Sequence, residues 1–185
     1  GVSLPPKPTK LLVICHPDDE AIFFGDWLME NGRETKVVCL TSSMDHEVWH
    51  NDKSRTRFRE LQDSLEVAGV SYFECLEETP SLNNFENRDR IEAFLSRVKN
   101  ETDWATIVTH NQYGEYGHMQ HIEAYEMVKE IFPNEKIHVY KNSNQKLASN
   151  RKQALLDQHV SQQRYGINEI RGSEWTGSDW YKHTV

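Results

Sequence analysis

Short apolar runs alternate with amphipathic stretches along most of this chain. The runs 11–15 (Leu11-Leu12-Val13-Ile14-Cys15), 36–40, 71–75, 104–109 and 136–140 read as strands. Between them the pattern predicts helices near 20–31, 54–68, 88–99 and 119–132, with another near 146–163. In the second of these, Phe58, Leu61, Leu65 and Ala68 recur at spacings of 3, 4 and 3, which makes an apolar stripe for a sheet face. Gly69 supplies a C-terminal stop, and Gly32 is assigned the same part for the first helix. Strands alternating with helices imply an α/β, Rossmann-like fold, a mostly parallel sheet with helices on both faces. No repeat, low-complexity tract or linker divides the sequence, so residues 1–185 read as one domain.

Two stretches lack periodicity, 41–53 and 76–87, and both read as loops at the C-terminal edge of the sheet, where α/β folds bind ligands. The tail after Gln163, with Trp175, Trp180 and Tyr181, is expected to pack over the domain or against a partner subunit. The first strand is followed by His16-Pro17-Asp18-Asp19-Glu20 where a dinucleotide-binding chain would carry its glycine-rich turn, so a nucleotide phosphate is a poor fit there.

A formal charge of −8 argues against a protein held to nucleic acid by phosphate contacts. No apolar run approaches the roughly 20 residues that span a bilayer, and the N-terminus has no signal-peptide pattern. Cys15, Cys39 and Cys75 fall in strand-like runs with no CxxC spacing, so they are expected as buried free thiols. A cytoplasmic protein is the resulting expectation; oligomeric state is left open.

The acidic turn is one of two clusters that change the picture. Tyr116-Gly117-His118-Met119-Gln120-His121 is the other, again just past a strand. Alone, Asp18-Asp19-Glu20 reads as a solvated helix start and His118-x-x-His121 as a surface pair. Together, at one sheet edge, they point to a metal centre. His16 and Asp19, three residues apart, can face the same way, and His121 can add a third ligand. Such a His₂Asp set suits one catalytic zinc per chain, though Fe²⁺, Mn²⁺ or Co²⁺ would accept it too. Asp18 is then placed to take a proton from water. His118, as an imidazolium, would stabilise an oxyanion or protonate a leaving amine, and Tyr116 would polarise a carbonyl. Gly114 and Gly117 permit tight backbone geometry beside a ligand. His110 either supports the site or is merely buried. His46, His50, His138 and His183 read as surface or core residues, and Glu20 as a supporting carboxylate rather than a ligand.

These residues resemble the LmbE-like or PIG-L family of zinc-dependent N-acetylglucosamine deacetylases. The two clusters carry the likeness, with Arg57-Phe58-Arg59-Glu60-Leu61, Ala68-Gly69-Val70, Lys152-Gln153-Ala154-Leu155-Leu156 and His159-Val160-Ser161-Gln162 extending it over residues 10–163. The tail 164–185 has no match. The resemblance implies a Rossmann-like fold, with His16, Asp19 and His121 as metal ligands and Asp18 as general base. It also implies that His118 acts on the tetrahedral intermediate or leaving amine, and that Tyr116 polarises the carbonyl. Arg57 matches a sugar-holding arginine, with Arg55 and Arg59 as near alternatives. The family's acidic sugar-binding residue after the third strand has no clear match in Pro80-Ser81-Leu82-Asn83-Asn84-Phe85. The expected activity is hydrolysis of the N-acetyl group of an amino sugar or glycoconjugate. The rival readings are a metallophosphoesterase and a non-catalytic, metal-dependent carbohydrate-binding domain.

Overall fold

The computed structural model describes residues 3–42, 53–141, 148–162 and 180–184. Its elements run β1 (Lys10–Ile14), α1 (Asp19–Ile22), α2 (Gly25–Asn31), β2 (Thr35–Thr41), α3 (Lys53–Val67), β3 (Tyr72–Glu78) and α4 (Arg88–Lys99). They continue with β4 (Thr106–Thr109), α5 (Gly114–Gly117), α6 (Met119–Ile131), β5 (Ile137–Tyr140), α7 (Asn150–Leu156) and β6 (Trp180–Thr184). The strands form one sheet in the order β3-β2-β1-β4-β5-β6. The first five are parallel, and β6 joins β5 antiparallel.

Alternation along the central strands sends side chains to two cores. Leu12, Ile14, Val37 and Cys39 pack on one face with Phe24 and Leu28, Leu61 and Leu65, and Leu155 and Leu156. Leu11, Val13, Val38 and Leu40 pack on the other with Ile91, Leu95 and Val98 of α4 and Ala124, Met127 and Val128 of α6. The expected helices on both faces are therefore present. The strand order reverses between β1 and β4, the position where open α/β sheets bind ligands beyond the C-terminal ends of their strands. Both chemical clusters lie there.

Several expectations need correction. The helix read at 20–31 breaks at Phe23-Phe24 into α1 and α2, because both rings turn into the core. Gly69 does adopt φ 79 after α3, with Val70 N bonding Leu65 O at 2.9 Å, as a helix stop should. Gly32 is instead right-handed at φ −56, and a Cβ there would meet Ala68 O at 2.0 Å. Close approach, not chain reversal, requires that glycine. The loop read at 76–87 starts later, since β3 continues to Glu78. The helix read at 146–163 shrinks to α7 and a 3-10 turn at Val160–Gln162. Part of the unmatched tail is the edge strand β6, whereas most of loop 41–53, with His46 and His50, lies outside the described residues. No helix among the described residues is long and apolar enough to cross a membrane.

Candidate metal centre

The turn after β1 is held by its own backbone. Asp18 N and Asp19 N both donate to His16 O, at 2.9 and 3.0 Å. Asp19 folds back so that Oδ2 accepts from His16 N at 2.8 Å. The same oxygen lies 3.3 Å from His16 Nδ1 and 3.2 Å from His121 Nε2, while those two nitrogens are 3.1 Å apart. The three residues named from sequence thus meet in a buried triangle.

Hydrogen bonds outside the triangle assign the protons. His16 Nε2 bonds Gln120 Oε1 at 2.7 Å, an acceptor only, so the proton is on Nε2 and the Nδ1 lone pair faces inward. His121 Nδ1 bonds Glu115 Oε1 at 3.0 Å, which leaves Nε2 facing inward as well. Two ring nitrogens and a carboxylate oxygen at mutual distances of 3.1–3.3 Å repel unless a proton or a metal ion lies among them. Ligand atoms about 2.0–2.1 Å from a tetrahedral zinc stand roughly 3.3 Å apart, so this donor set fits such an ion.

The charges agree. Burial pushes the Asp19 carboxyl up, but the imidazoles of His121 and His16 overcome this and hold it well below the usual range. Burial and His110 push His121 down, yet Asp19 and Glu115 on either side reverse that and raise it to about 9. In the ion-free site that puts a proton on His121 Nε2, facing Asp19, in the place a metal ion would take.

Glu115 is the residue that sequence reading missed. Among the described residues it alone is a non-glycine at positive φ, with φ 63 and ψ −67. Such a conformation costs about 1–3 kcal/mol and persists only when its surroundings impose it. Here Asn111 imposes it, because Glu115 N donates to Asn111 Oδ1 and Asn111 N donates to Glu115 Oε2, both at 3.0 Å. Gly114 and Gly117, at φ 59 and 98, carry the chain on either side. The carboxylate is thereby aimed at His121 Nδ1 and His110 Nδ1. Burial raises its pKa, but His110 and His121 more than reverse this, to about 2. His110 is a supporting residue, its Nε2 lying 3.4 Å from Asp19 Oδ2. The sequence signal was the Gly-Glu-Tyr-Gly bracket, which residue types alone do not mark as strained.

Asp18 is buried beside the triangle, 3.6 Å from the Arg57 guanidinium. Desolvation raises its pKa, and Arg57 opposes this without cancelling it. Arg57 also donates to Pro17 O at 3.2 Å, while its Nε has no partner. Of the three arginines proposed from sequence, Arg59 is exposed and the Arg55 side chain lies outside the description.

His118 caps α6, with Gln120 N donating to its Nδ1 at 3.2 Å. Its ring stacks on that of His121 at 4.4 Å. Burial, then the neighbouring imidazoles of His121 and His16, depress its pKa to about 3. That direction favours a neutral His118 ring, whose Nδ1 accepts from Gln120 N and whose proton then sits on Nε2. Tyr116 stands at the rim, its ring 6.0 Å from that of His118, and burial and nearby carboxylates raise its pKa.

His118 also lies close to His16 and His121, but its Nδ1 is taken by Gln120 N; Cys15, His110 and His121 form a further close trio. It fits an ion less well. A thiol must ionise to bind metal, whereas burial drives the Cys15 pKa well up and its Sγ–H bonds Gln120 O at 3.2 Å. Cys15 N also occupies the His110 Nε2 lone pair at 3.2 Å. Glu20 is no ligand either, being buried against His159. Glu78 stands where the acidic sugar-binding residue was sought, but its Oε2 accepts from Asn87 and its Oε1 pairs with Arg90 at 3.6 Å, at the base of the following loop.

The family model PIG-L, described as GlcNAc-PI de-N-acetylase, matches residues 11–132. The "Uncharacterized protein L374" of Acanthamoeba polyphaga mimivirus is 30% identical over 145 residues, covering 75% of this chain; those residues span 64% of that protein. Among solved structures, N,N'-diacetylchitobiose deacetylase from Pyrococcus horikoshii superposes with a TM-score of 0.68 at 15% identity, covering 95% of this chain and 84% of its own. The A40926 pseudoaglycone deacetylase Dbv21 gives 0.64 at 13% identity, covering 88% and 85%. At such identities these likenesses establish the fold. The length and position of the family match, over both chemical clusters, establish more: this chain belongs to the PIG-L family.

Proposed function

We propose that the protein is a metal-dependent hydrolase that removes the acetyl group from an N-acetylated amino sugar or glycoconjugate. The observation that carries this reading is the convergence of His16 Nδ1, His121 Nε2 and Asp19 Oδ2, beside a buried carboxylate that is not part of the set. Family membership and deacetylases among the structural neighbours support it. A divalent ion held by those three atoms, zinc on ligand type, would acidify water and polarise the amide carbonyl.

Asp18 accepts the proton of the attacking water; its raised pKa makes it a stronger base than an ordinary carboxylate. As the C–N bond breaks, the same carboxyl returns that proton to the departing nitrogen, so the proton balance closes within one residue. His118 donates its Nε2–H to the developing oxyanion as a neutral imidazole, and Tyr116 adds a second donor from the rim. Arg57, its Nη2 3.6 Å from Asp18, steadies that carboxylate, and the outer edge of its guanidinium offers hydrogen bonds to a sugar hydroxyl. Products are acetate and a free amine.

The test is acetate release over a panel of N-acetyl sugars, their nucleotide-linked forms and N-acetylglucosaminyl glycolipids. Turnover of at least one, abolished by a chelator, is expected. Turnover of aryl phosphates with no acetate from any sugar would replace this reading with phosphoester hydrolysis.

A further inference from the structure

Gln120 is an uncharged residue between two histidines of the motif, and nothing in the reaction above uses it. It is fully buried, and its side chain joins two parts of the site. Oε1 accepts from His16 Nε2 at 2.7 Å and from Ser81 N at 3.1 Å, while Nε2 donates to Thr79 O at 3.0 Å. One amide therefore holds a metal-ligand imidazole and the backbone of the loop that follows β3.

The rest of that loop is held to the same helix. Phe85 N donates to Glu123 Oε1 at 2.6 Å, and the Phe85 ring is buried in the core under α6. Asn87 Nδ2 reaches back to Glu78 Oε2 at 3.3 Å and closes the loop's base. Between these ties the chain is exposed, with Leu82 81% accessible and Asn83 and Asn84 also facing solvent. The result is an arch whose open crown begins one residue beyond Ser81, and Ser81 is two hydrogen bonds from His16.

We propose that Gln120 is a positioning residue that couples this arch to His16, so that the arch and the metal-facing imidazole are fixed together. The chemistry of an amide suits the task. His16 must present Nδ1, which requires an acceptor at Nε2; the loop requires a donor at Thr79 O; only a side chain with both satisfies the two at once. An amide also avoids placing a third carboxylate beside those of Asp19 and Glu115. Mere satisfaction of buried polar groups would need the bonds but no transmission between them. Substrate seated against the crown at Leu82 and Asn83 would be sensed at His16, and that part of the inference rests on the deacetylase reading.

Hydrogen exchange of the peptide spanning Thr79–Phe85 tests the coupling without an activity assay. It is measured on protein loaded with Zn²⁺ and on chelator-treated protein. In the wild type, zinc should slow exchange at the Ser81 amide by about threefold or more, because fixing His16 fixes its acceptor. Gln120→Ala should abolish that zinc-dependent protection, read at saturating zinc so that occupancy is equal, and should weaken zinc binding by roughly 10–100-fold in a separate competition titration. Gln120→Glu keeps both acceptor bonds and loses the donor to Thr79 O, so it should retain part of the protection if the alanine variant does not fold. Protection unchanged by zinc in the wild type, or retained in full by Gln120→Ala, overturns the coupling. If the wild type takes up no zinc, the metal centre fails instead. Metal-free exchange then decides, since the coupling still requires His16→Ala, which leaves Gln120 and the arch in place, to exchange faster than wild type at Ser81; equal exchange overturns it.

Discussion

Near the N-terminal ends of β2 and β3, Lys36 Nζ lies 2.6 Å from Glu74 and 2.8 Å from Glu101, and Arg97 closes the group at 2.9 and 2.8 Å from the same two carboxylates. Two cations meet two anions there, and every contact is satisfied within the group. At the opposite edge Asp18, Asp19 and Glu115 are buried with Arg57 as the one permanent cation among the described residues, and with imidazoles whose inner nitrogens point at one another. Both regions are dense in charge, yet only the second is unbalanced. A group neutralised by its own members holds elements together; one that leaves electron pairs converging needs something from outside the chain. Charge density alone does not mark a site, whereas its imbalance after the hydrogen bonds are assigned does.

The contrast is broken most severely at Asp18. Asp18→Asn should lower kcat by about 10²–10⁴-fold with metal content unchanged, measured by acetate release and elemental analysis. Metal lost along with activity would make Asp18 a ligand. Because burial raises this carboxyl, wild-type activity should fall on the acidic side at a higher pH than an ordinary aspartate would give. His118→Ala should cost about 10²–10³-fold in kcat, as loss of one oxyanion donor does, and leave the basic limb of the pH profile in place. A basic limb that disappears with His118 would restore the imidazolium that the depressed pKa argues against. Glu115→Gln retains the shape but removes the charge that orients His121, and should weaken zinc binding by roughly 10–100-fold in a competition titration.

The balanced cluster should respond differently. Glu74→Gln is expected to cost about 0.2–1 kcal/mol of stability in urea and nothing in acetate release, since its partners are partly exposed. Burial is the largest single influence and raises the Glu74 pKa, but Lys36 and Arg97 together outweigh it and depress the carboxyl. Its contribution is therefore present above the unfolded value of 4.5 and is lost as pH falls through the lower folded value. The stability gap between wild type and variant should close in acid, and a gap that widens there would contradict the assignment.

Much of this contrast was legible in the chain itself. Apolar runs marked the five parallel strands because a buried strand needs nothing else, and the 3-4-3 stripe marked α3. His16, Asp19 and His121 were legible because ligand types clustered just past strands. Glu115 was not, since its role depends on a strained φ imposed by Asn111, which no residue type announces. Gln120 carries no charge and so no signal. The Glu20–His159 pair joins positions 139 residues apart, which only the packing of the segment after α7 onto α1 reveals. The split of the first helix followed from two phenylalanines entering one core, a tertiary preference stronger than helical continuity.

The central claim is that His16, Asp19 and His121 hold one divalent ion, in preference to the neighbouring trio of Cys15, His110 and His121. Diffraction from crystals of zinc-loaded protein, recorded on both sides of the zinc absorption edge, tests it directly. The account predicts a single anomalous peak about 2.0–2.2 Å from His16 Nδ1, His121 Nε2 and an Asp19 carboxylate oxygen. A peak bonded to Cys15 Sγ and His110 Nε2, or none at full zinc saturation, would contradict it.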